Sequence, residues 1–412
     1  MTHATTSDEL TISMSTASRV EPRRPLRVCT VAYAFHDSDS RIMRYTHALK
    51  SRGDVVDVIA LRESGKPKVY VSEGVQVIGV QPREVNEQSQ FSYLMRIVLF
   101  FLRTMIILSW RHLRVGYDVI HVHSVPDFLV FAAILPKLMG ARIVLDIHDL
   151  LPELYASKFS MGGRSIIVRL LLVVERFSIL FSDHVITAND LWHEKLVARA
   201  VPRARATALM NYPDLEVFTP RGRNRNDDRF VMIYPGSLNW HQGLDIALRA
   251  FALIKDRAPL SEFHIYGTGP ALEELVTLAK RLGLSERVRF SGMLPLREIA
   301  QVIENADLGV VPKRKNHFGN EAFSTKTLEF MAMGVPVLVS DTRIDKYYFD
   351  ESVVRFFDGE NIEDLAAQML ALIEDSKARE CLKSAGLQFV QRNSWDSKKP
   401  QYFNIIDALA TN

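Results

Sequence analysis

The sequence predicts an α/β protein of two parallel-sheet domains, each covered by helices. Three observations predict this. From Leu26 onward, short apolar runs of strand length alternate with longer segments of helical period. A second series of the same kind begins near Phe230. Between the two, residues 213–229 carry Pro220, Gly222 and a charged run over 223–229, the composition of a linker. A chain of 412 residues is long enough for two such cores. Two α/β units of similar size leave a cleft between them, a common place for a ligand.

In chain order, residues 1–25 are rich in Ser and Thr and have no basic segment leading into an apolar core. They read as a disordered tail rather than a signal peptide. The first domain, 26–215, has strands predicted at 27–32, 55–60, 75–80, 119–123, 142–147 and 184–187. Helices are predicted between them, at 41–51 and at 127–139, where Gly140 ends the second. The linker is 216–229. The second domain, 230–394, has strands predicted at 230–234, 262–266, 288–291, 308–311, 336–340 and 353–356. Helices at 244–258, 271–282 and 296–304 alternate with them. A last helix, 395–412, is expected to pack back on the first domain.

Composition excludes several classes. The 51 basic and 48 acidic side chains leave +3, too weak a field for a nucleic-acid protein. The two cysteines, Cys29 and Cys381, form neither a metal motif nor a disulfide framework and suit a reducing, cytoplasmic setting. No uncharged apolar stretch reaches the ~18–20 residues that span a bilayer. Residues 91–115 contain no acidic side chain and set Arg96, Arg103, Arg111 and Arg114 among Phe, Leu and Trp. Such a helix either lies in an anionic membrane interface or packs on the core with its arginines reaching solvent. The apolar stretch 164–181, with Arg164, Arg169 and Arg176, reads as core-packing.

The chemistry concentrates in Glu321-Ala-Phe-Ser-Thr-Lys-Thr-Leu-Glu329, followed by Phe-Met-Ala-Met-Gly-Val-Pro-Val-Leu-Val-Ser. This reads as a loop feeding a helix. Ser324 or Thr325 can cap the helix start, and its free N–H groups favour an anion such as diphosphate. Lys326 adds a positive charge in the same turn. Glu329, one turn on, can accept hydrogen bonds from two ribose hydroxyls. Gly334 closes the helix and Pro336 opens the next strand. A solvated helix with an ordinary Lys and Glu is the alternative reading of these residues alone.

Two glutamates separated by seven residues, leading into an A-x-G-x-P-V-like turn, resemble the retaining glycosyltransferases of family 4. Further motifs fall in the family's order: Asp118-Val-Ile-His-Val-His123, Asp146-Ile-His-Asp149, Gly236-Ser-Leu-Asn-Trp-His-Gln-Gly243, Tyr266-Gly-Thr-Gly-Pro270 and Phe290-Ser-Gly292. The resemblance covers most of the chain after about residue 26. It implies the GT-B fold, two Rossmann-like domains facing a cleft. It also implies roles: Glu329 on the donor ribose, Glu321 facing the donor sugar, His148 across the cleft, and Gly267 and Gly269 beside the base. Ser324, Thr325, Lys326, Gly236 and Gln242 complete the expected donor site.

Two departures stand out. Many family members carry Arg and Lys where this chain has Ser237 and Gln242, so Lys326, with Lys313 or Arg314, would have to offset the diphosphate. A subgroup with S-x-K-x-x-E and a Q-G loop looks similar to this chain. In place of a Gly-Gly loop after the first strand stands His36-Asp-Ser-Asp-Ser-Arg-Ile-Met-Arg44. There Arg41 and Arg44, one turn apart on one face, could meet phosphate on donor or acceptor, with His123 as a cleft residue. Asp37-Ser-Asp39 reads as a turn rather than a metal site. His121 and His123 share a strand face, but no further zinc ligand stands out. No Ser-His-Asp set or P-loop can be assembled.

The expectation is therefore metal-free transfer, with retention, of a hexosyl or N-acetylhexosaminyl group from a nucleotide sugar, UDP-linked by family resemblance. The acceptor is expected to be lipid-linked, at the inner face of a membrane. A nucleotide-sugar epimerase and a catalytically dead membrane scaffold are the alternatives, and product analysis separates the three.

Overall fold

Two sheets organise the chain in the computed structural model, which describes residues 23–83, 90–158 and 165–411. Most of the expected tail, and Arg164, lie outside the described residues. Residues 23–25 are tied down: Arg23 pairs with Asp54 at 3.1 Å and Arg24 with Asp118 at 2.6 Å.

The first sheet is built from β1 (Arg27–Ala32), β2 (Val55–Arg62), β3 (Val69–Ser72), β4 (Val75–Pro82), β5 (Val119–His123), β6 (Arg142–Ile147), β7 (His184–Thr187) and β8 (Ala206–Ala208). Its order is β3-β4-β2-β1-β5-β6-β7-β8. Every pair is parallel except β3 with β4. The helices between are α1 (Ser40–Ser51), α2 (Gln90–Val115), α3 (Ile134–Leu138), α4 (Leu151–Lys158), α5 (Ile166–Phe181) and α6 (Asp190–Arg199). Strands such as β5 are buried at every position, as a sheet covered on both faces requires.

The second sheet holds β9 (Phe230–Pro235), β10 (Ser261–Tyr266), β11 (Val288–Ser291), β12 (Leu308–Val311), β13 (Val337–Ser340) and β14 (Arg355–Phe357), in the order β11-β10-β9-β12-β13-β14 and parallel throughout. Its helices are α7 (Leu244–Ile254), α8 (Leu272–Arg281), α9 (Leu296–Glu304), α10 (Thr325–Ala332) and α11 (Arg343–Tyr348), with α12 (Ile362–Glu374), α13 (Ser376–Arg392) and α14 (Trp395–Thr411) after β14. This is the GT-B architecture of two Rossmann-like sheets. Chain order reverses beside β1 and beside β9, and ligands bind at the carboxyl ends of strands at such switch points.

All twelve predicted strands form. The unforeseen β3 and β8 are short pieces, of four and three residues, at the two edges of the first sheet. The helix predicted over 127–139 is instead a 3-10 segment, Asp127–Ala133, followed by α3. Pro136 lacks an N–H and fits only in the first turn of a helix, so α-helical structure starts afresh at Ile134.

α14 crosses back to the first domain. The Tyr402 ring lies 4.4 Å from that of Tyr45, and its hydroxyl lies 3.0 Å from His121 Nδ1. Asp407 takes Arg23 and Arg52. The linker is anchored as well: Arg223 and Arg225 both pair with Asp307.

α2 forms over almost the same stretch as the basic apolar helix read from the sequence. Ser92–Val115 is long and apolar enough to cross a membrane by length and composition. Yet Ile97, Phe100 and Leu108 on one face are buried against the domain. The core-packing expectation for 164–181 fails on the outer face of α5. Only Val168, Glu175, Ser178 and Ile179 are buried there, while Ile166, Leu170 and Phe177 are exposed.

Candidate active site

The predicted donor residues converge at the carboxyl end of β9. Gly236 follows this strand at φ 140°, a backbone region that favours glycine. A Cβ at this position would overlap the Lys326 side chain and stand 2.9 Å from its Nζ. The ammonium also lies 5.1 Å from the centroid of the Tyr234 ring. Lys326 therefore lies flat across the backbone at the switch point. Burial pushes its ammonium below the usual lysine range, Glu329 pulls it back up, and Lys313 pushes it down again. Burial raises the Glu329 carboxyl, offset by Lys326, Arg44 and a hydrogen bond from Thr325. Gly236→Ala is expected to displace Lys326 and weaken nucleotide binding by about tenfold or more. Isothermal titration checks it, with an unchanged affinity showing that Lys326 does not depend on this contact.

Gly267, at φ 144°, packs closely on the neighbouring loop. A Cβ there would overlap the Gly236 carbonyl, and one at Gly269 would overlap that of Leu238. Leu238 N donates to Thr268 O at 2.9 Å, which zips the two loops together. Gln242 sits half-buried in a 3-10 turn with Nε2 3.1 Å from His241 Nε2.

The helix start differs in one respect from expectation. Ser324 occupies the N-cap position of α10 but makes no capping bond, and its buried hydroxyl has no hydrogen-bond partner among the described residues. Thr327 N donates back to the Ser324 carbonyl at 3.2 Å, and the N–H groups of Thr325 and Lys326 ahead of it meet no capping side chain. The suggested substitute cations are both engaged by carboxylates. Lys313 is buried, donating to Ala322 O at 2.6 Å and pairing with Asp345 at 3.0 Å. Arg314 is bidentate on Asp245 at 2.7 Å. Lys326 is left to carry the charge.

Across the cleft, Arg41 lines the opening from below the surface, with its Nη1 without a hydrogen-bond partner among the described residues. Its guanidinium is buried and bidentate on Asp146, both bonds 2.8 Å. Asp39, read from sequence as part of a turn, caps α1 by accepting from Arg41 N and Ile42 N. Arg44 donates to the Tyr212 carbonyl, and burial pushes its guanidinium down to about 10. Its field reaches Glu329 from the opposite domain.

His148 closes the group. Its backbone N–H donates to Ser124 Oγ at 3.1 Å, and its Nε2 lies 2.9 Å from His123 Nδ1 and 3.5 Å from Asp146 Oδ2. Burial holds His121 down at about 4 and His123 well below the usual range, so both are neutral near pH 7. Asp146 supplies the third metal-type ligand that sequence did not show, within 4.8 Å of His121 and His123. Arg41 occupies both of its oxygens, however, and its charge opposes a cation there.

A cleft of about 380 Å³ joins the halves. Arg41, His148 and Asn189 line it from the first domain, and Ala322, Phe323 and Thr325 from the second. Glu321 does not face it. Its carboxylate pairs with Lys195 of α6 and lies 3.6 Å from Arg343, in a separate cavity. Its backbone carbonyl accepts from Asn189 Nδ2 at 3.0 Å. Sequence reasoning missed Lys195, Asn189 and the Asp146 partnership. Only Asp146 left a signal, as an acid inside an apolar strand.

Residues 39–211 match the family model described as a glycosyl transferase 4-like domain, and residues 218–408 that of glycosyl transferases group 1. An Escherichia coli protein named for glycosyl transfer in colanic acid biosynthesis is 26% identical over 157 residues, which is 38% of this chain and 39% of that relative. The chain thus aligns with well under half of that relative's length. The D-inositol 3-phosphate glycosyltransferase of Corynebacterium diphtheriae is 24% identical over 382 residues, covering 86% of this chain and 85% of its own. Anabaena HepE, crystallised in complex with UDP-glucose, shares the fold with a TM-score of 0.70 at 15% identity, over 92% of this chain and 99% of that one. Two glycosyltransferase models in sequence, one on each sheet of the same two-domain architecture, make this chain a glycosyltransferase of the GT-B type.

Proposed function

We propose that the chain moves a hexosyl or N-acetylhexosaminyl group from a UDP-sugar onto a lipid-linked acceptor, with retention, in polysaccharide or glycolipid synthesis. The observation that carries this reading is the meeting of Lys326, the uncapped start of α10 and Glu329 beside Gly236. A nucleoside diphosphate matches that set: Lys326 and the free N–H groups on the diphosphate, Glu329 on the ribose. UDP-glucose in the structure of HepE supports the donor class, and the colanic acid relative supports the polysaccharide setting. The motif Ser324-x-Lys326-x-x-Glu329 supports placement in family 4.

In this reading the leaving diphosphate gathers negative charge as the sugar becomes oxocarbenium-like. Lys326 and the helix start hold that charge in place of a metal ion. His148, held by His123 and Ser124, orients the sugar. Glu321 must leave Lys195 to face it, a step that donor binding and domain closure would drive. The neutral His123 leaves His148 free of a competing charge on that side. The apolar, arginine-bearing α2 supports peripheral seating on the inner face of a membrane, from which a lipid-linked acceptor would enter.

A thermal-shift screen of nucleotide sugars followed by product analysis tests this function. The expected result is stabilisation by a UDP-sugar and a glycosylated lipid product. Glu329→Ala is expected to weaken the donor roughly tenfold to a hundredfold. An isomerised donor with no acceptor product, or a wild-type affinity in the variant, would remove the reading.

A further inference from the structure

We propose that α2, the segment from Asp127 to Leu138 and α5 form one docking face that seats on an anionic lipid monolayer. This deepens the membrane reading above, which needs α2 alone. The sequence pattern of α2 carries Met95, Leu99, Leu102, Ile106, Trp110 and Leu113 along one stripe, all exposed. α5 exposes Ile166, Leu170, Val173, Phe177 and Leu180 at the same helical spacing. The 3-10 segment lies between the two helices and touches both: Phe101 of α2 lies 5.8 Å from Phe128, and Phe131 lies 5.1 Å from Phe181 of α5. α3 follows with Leu138 at 80% exposure and Met139 beside it. Most of the exposed large apolar side chains among the described residues fall on these three pieces. A patch of that extent marks an interaction surface rather than a solvated one.

Charge decides which partner fits. Arg103, Arg114, Arg169 and Arg176 are exposed on α2 and α5. The Arg114 guanidinium lies 3.5 Å from the Trp110 ring centroid, an aromatic and cationic pair suited to the headgroup level. Nearby carboxylates are spent: Glu175 is buried on Arg199 and Asp183 is held by Lys137. A second copy on this face would bring arginine against arginine with no acid between them. An anionic lipid surface supplies both the apolar phase and the opposite charge. The buried inner faces of α2 and α5 keep these helices on the domain, so they lie in the interface rather than cross it.

The face adjoins the acceptor side of the site. Tyr93, near the start of α2, lines a cavity of about 250 Å³ together with Arg83, His123, His148 and Asp149. A lipid-linked acceptor held in the monolayer would thus meet the catalytic cleft along α2.

Co-sedimentation of the full chain with phosphatidylcholine vesicles containing about a third phosphatidylglycerol tests the proposal, with pure phosphatidylcholine as the comparison. Wild type is expected to pellet with the anionic vesicles only. Leu170→Glu with Phe177→Glu, on α5 alone, is expected to lower the partition coefficient roughly tenfold or more, with an unchanged melting temperature and unchanged donor affinity. If that variant pellets like wild type while Ile106→Glu on α2 does not, the joint face is overturned and the α2 reading stands. Wild type that fails to pellet removes both membrane readings, and the donor titration still reports on the transferase reading. A dimer in light scattering that the α5 changes dissociate would assign the face to a second copy and overturn the proposal.

Discussion

Replacing Lys326 with Met should lower kcat/KM by about two to three orders of magnitude, while leaving the unliganded fold as stable as before or slightly more so. The two halves of this expectation come from one fact. The ammonium sits in a desolvated place where burial disfavours its charge, and only Glu329 favours it. A folded-state pKa below the unfolded value means that the charged lysine costs stability at neutral pH, and relief of that cost offsets the loss of the charge that favours the buried Glu329 carboxylate. With diphosphate bound, the same desolvation strengthens each charge-assisted hydrogen bond from Nζ. No nearby cation can replace it, since Lys313 and Arg314 are held by Asp345 and Asp245. Methionine keeps the apolar stem over Gly236 and Tyr234, so packing is preserved. Steady-state kinetics with a donor found by screening, together with a thermal melt, measure both quantities. A drop in melting temperature with kinetics intact would make Lys326 a structural residue.

Asp146→Asn should cost about 3–5 kcal/mol of stability, because it leaves the Arg41 guanidinium buried without its counter-charge. A desolvated ion pair need not stabilise the fold greatly, but breaking one member strands the other. Arg41 holds the Asp146 carboxyl well below the usual carboxylate range, so the pair is ionised throughout the working range. Arg41→Met with Asp146→Leu should recover much of the loss, since two apolar side chains of similar size leave no stranded charge. Activity should not recover, because Asp146 also faces His123 and His148 at 3.4 and 3.5 Å. Chemical denaturation and kinetics on the single and double variants separate the two roles. A single variant as stable as wild type would show that water reaches Arg41 and that the pair is not buried in solution.

Strand positions and the α10 site were legible in the sequence because both depend on local pattern. Runs such as Val-Ile-His-Val-His or Leu-Gly-Val-Val are continuous apolar segments, and a sheet buried on both faces requires that. Gly334, at φ 67°, marks the end of α10 through a backbone need that the residue type announces. The roles of cations were not legible. Arg41, Arg44, Lys313 and Arg314 look alike as sequence, yet each is claimed by a partner brought up from elsewhere in the fold. Arg41 meets an acid 105 positions away, and Arg44 a carbonyl 168 positions away. The outer face of α5 was misread for a related reason. Helical period shows that a stripe is apolar, but not which of two stripes the domain covers.

By itself the sequence determined that there are two parallel sheets, where their strands run, and that Lys326 and Glu329 stand one turn apart on a helix fed by a loop. These follow from spacing along a few neighbouring residues. Only the tertiary structure decided that Lys326 lies on Gly236, that Arg41 pairs with Asp146, that Glu321 rests on Lys195, and that α5 turns its leucines outward. Each of those depends on which distant group reaches a charge or an apolar face first, and that is set by chain topology and close packing rather than by local pattern.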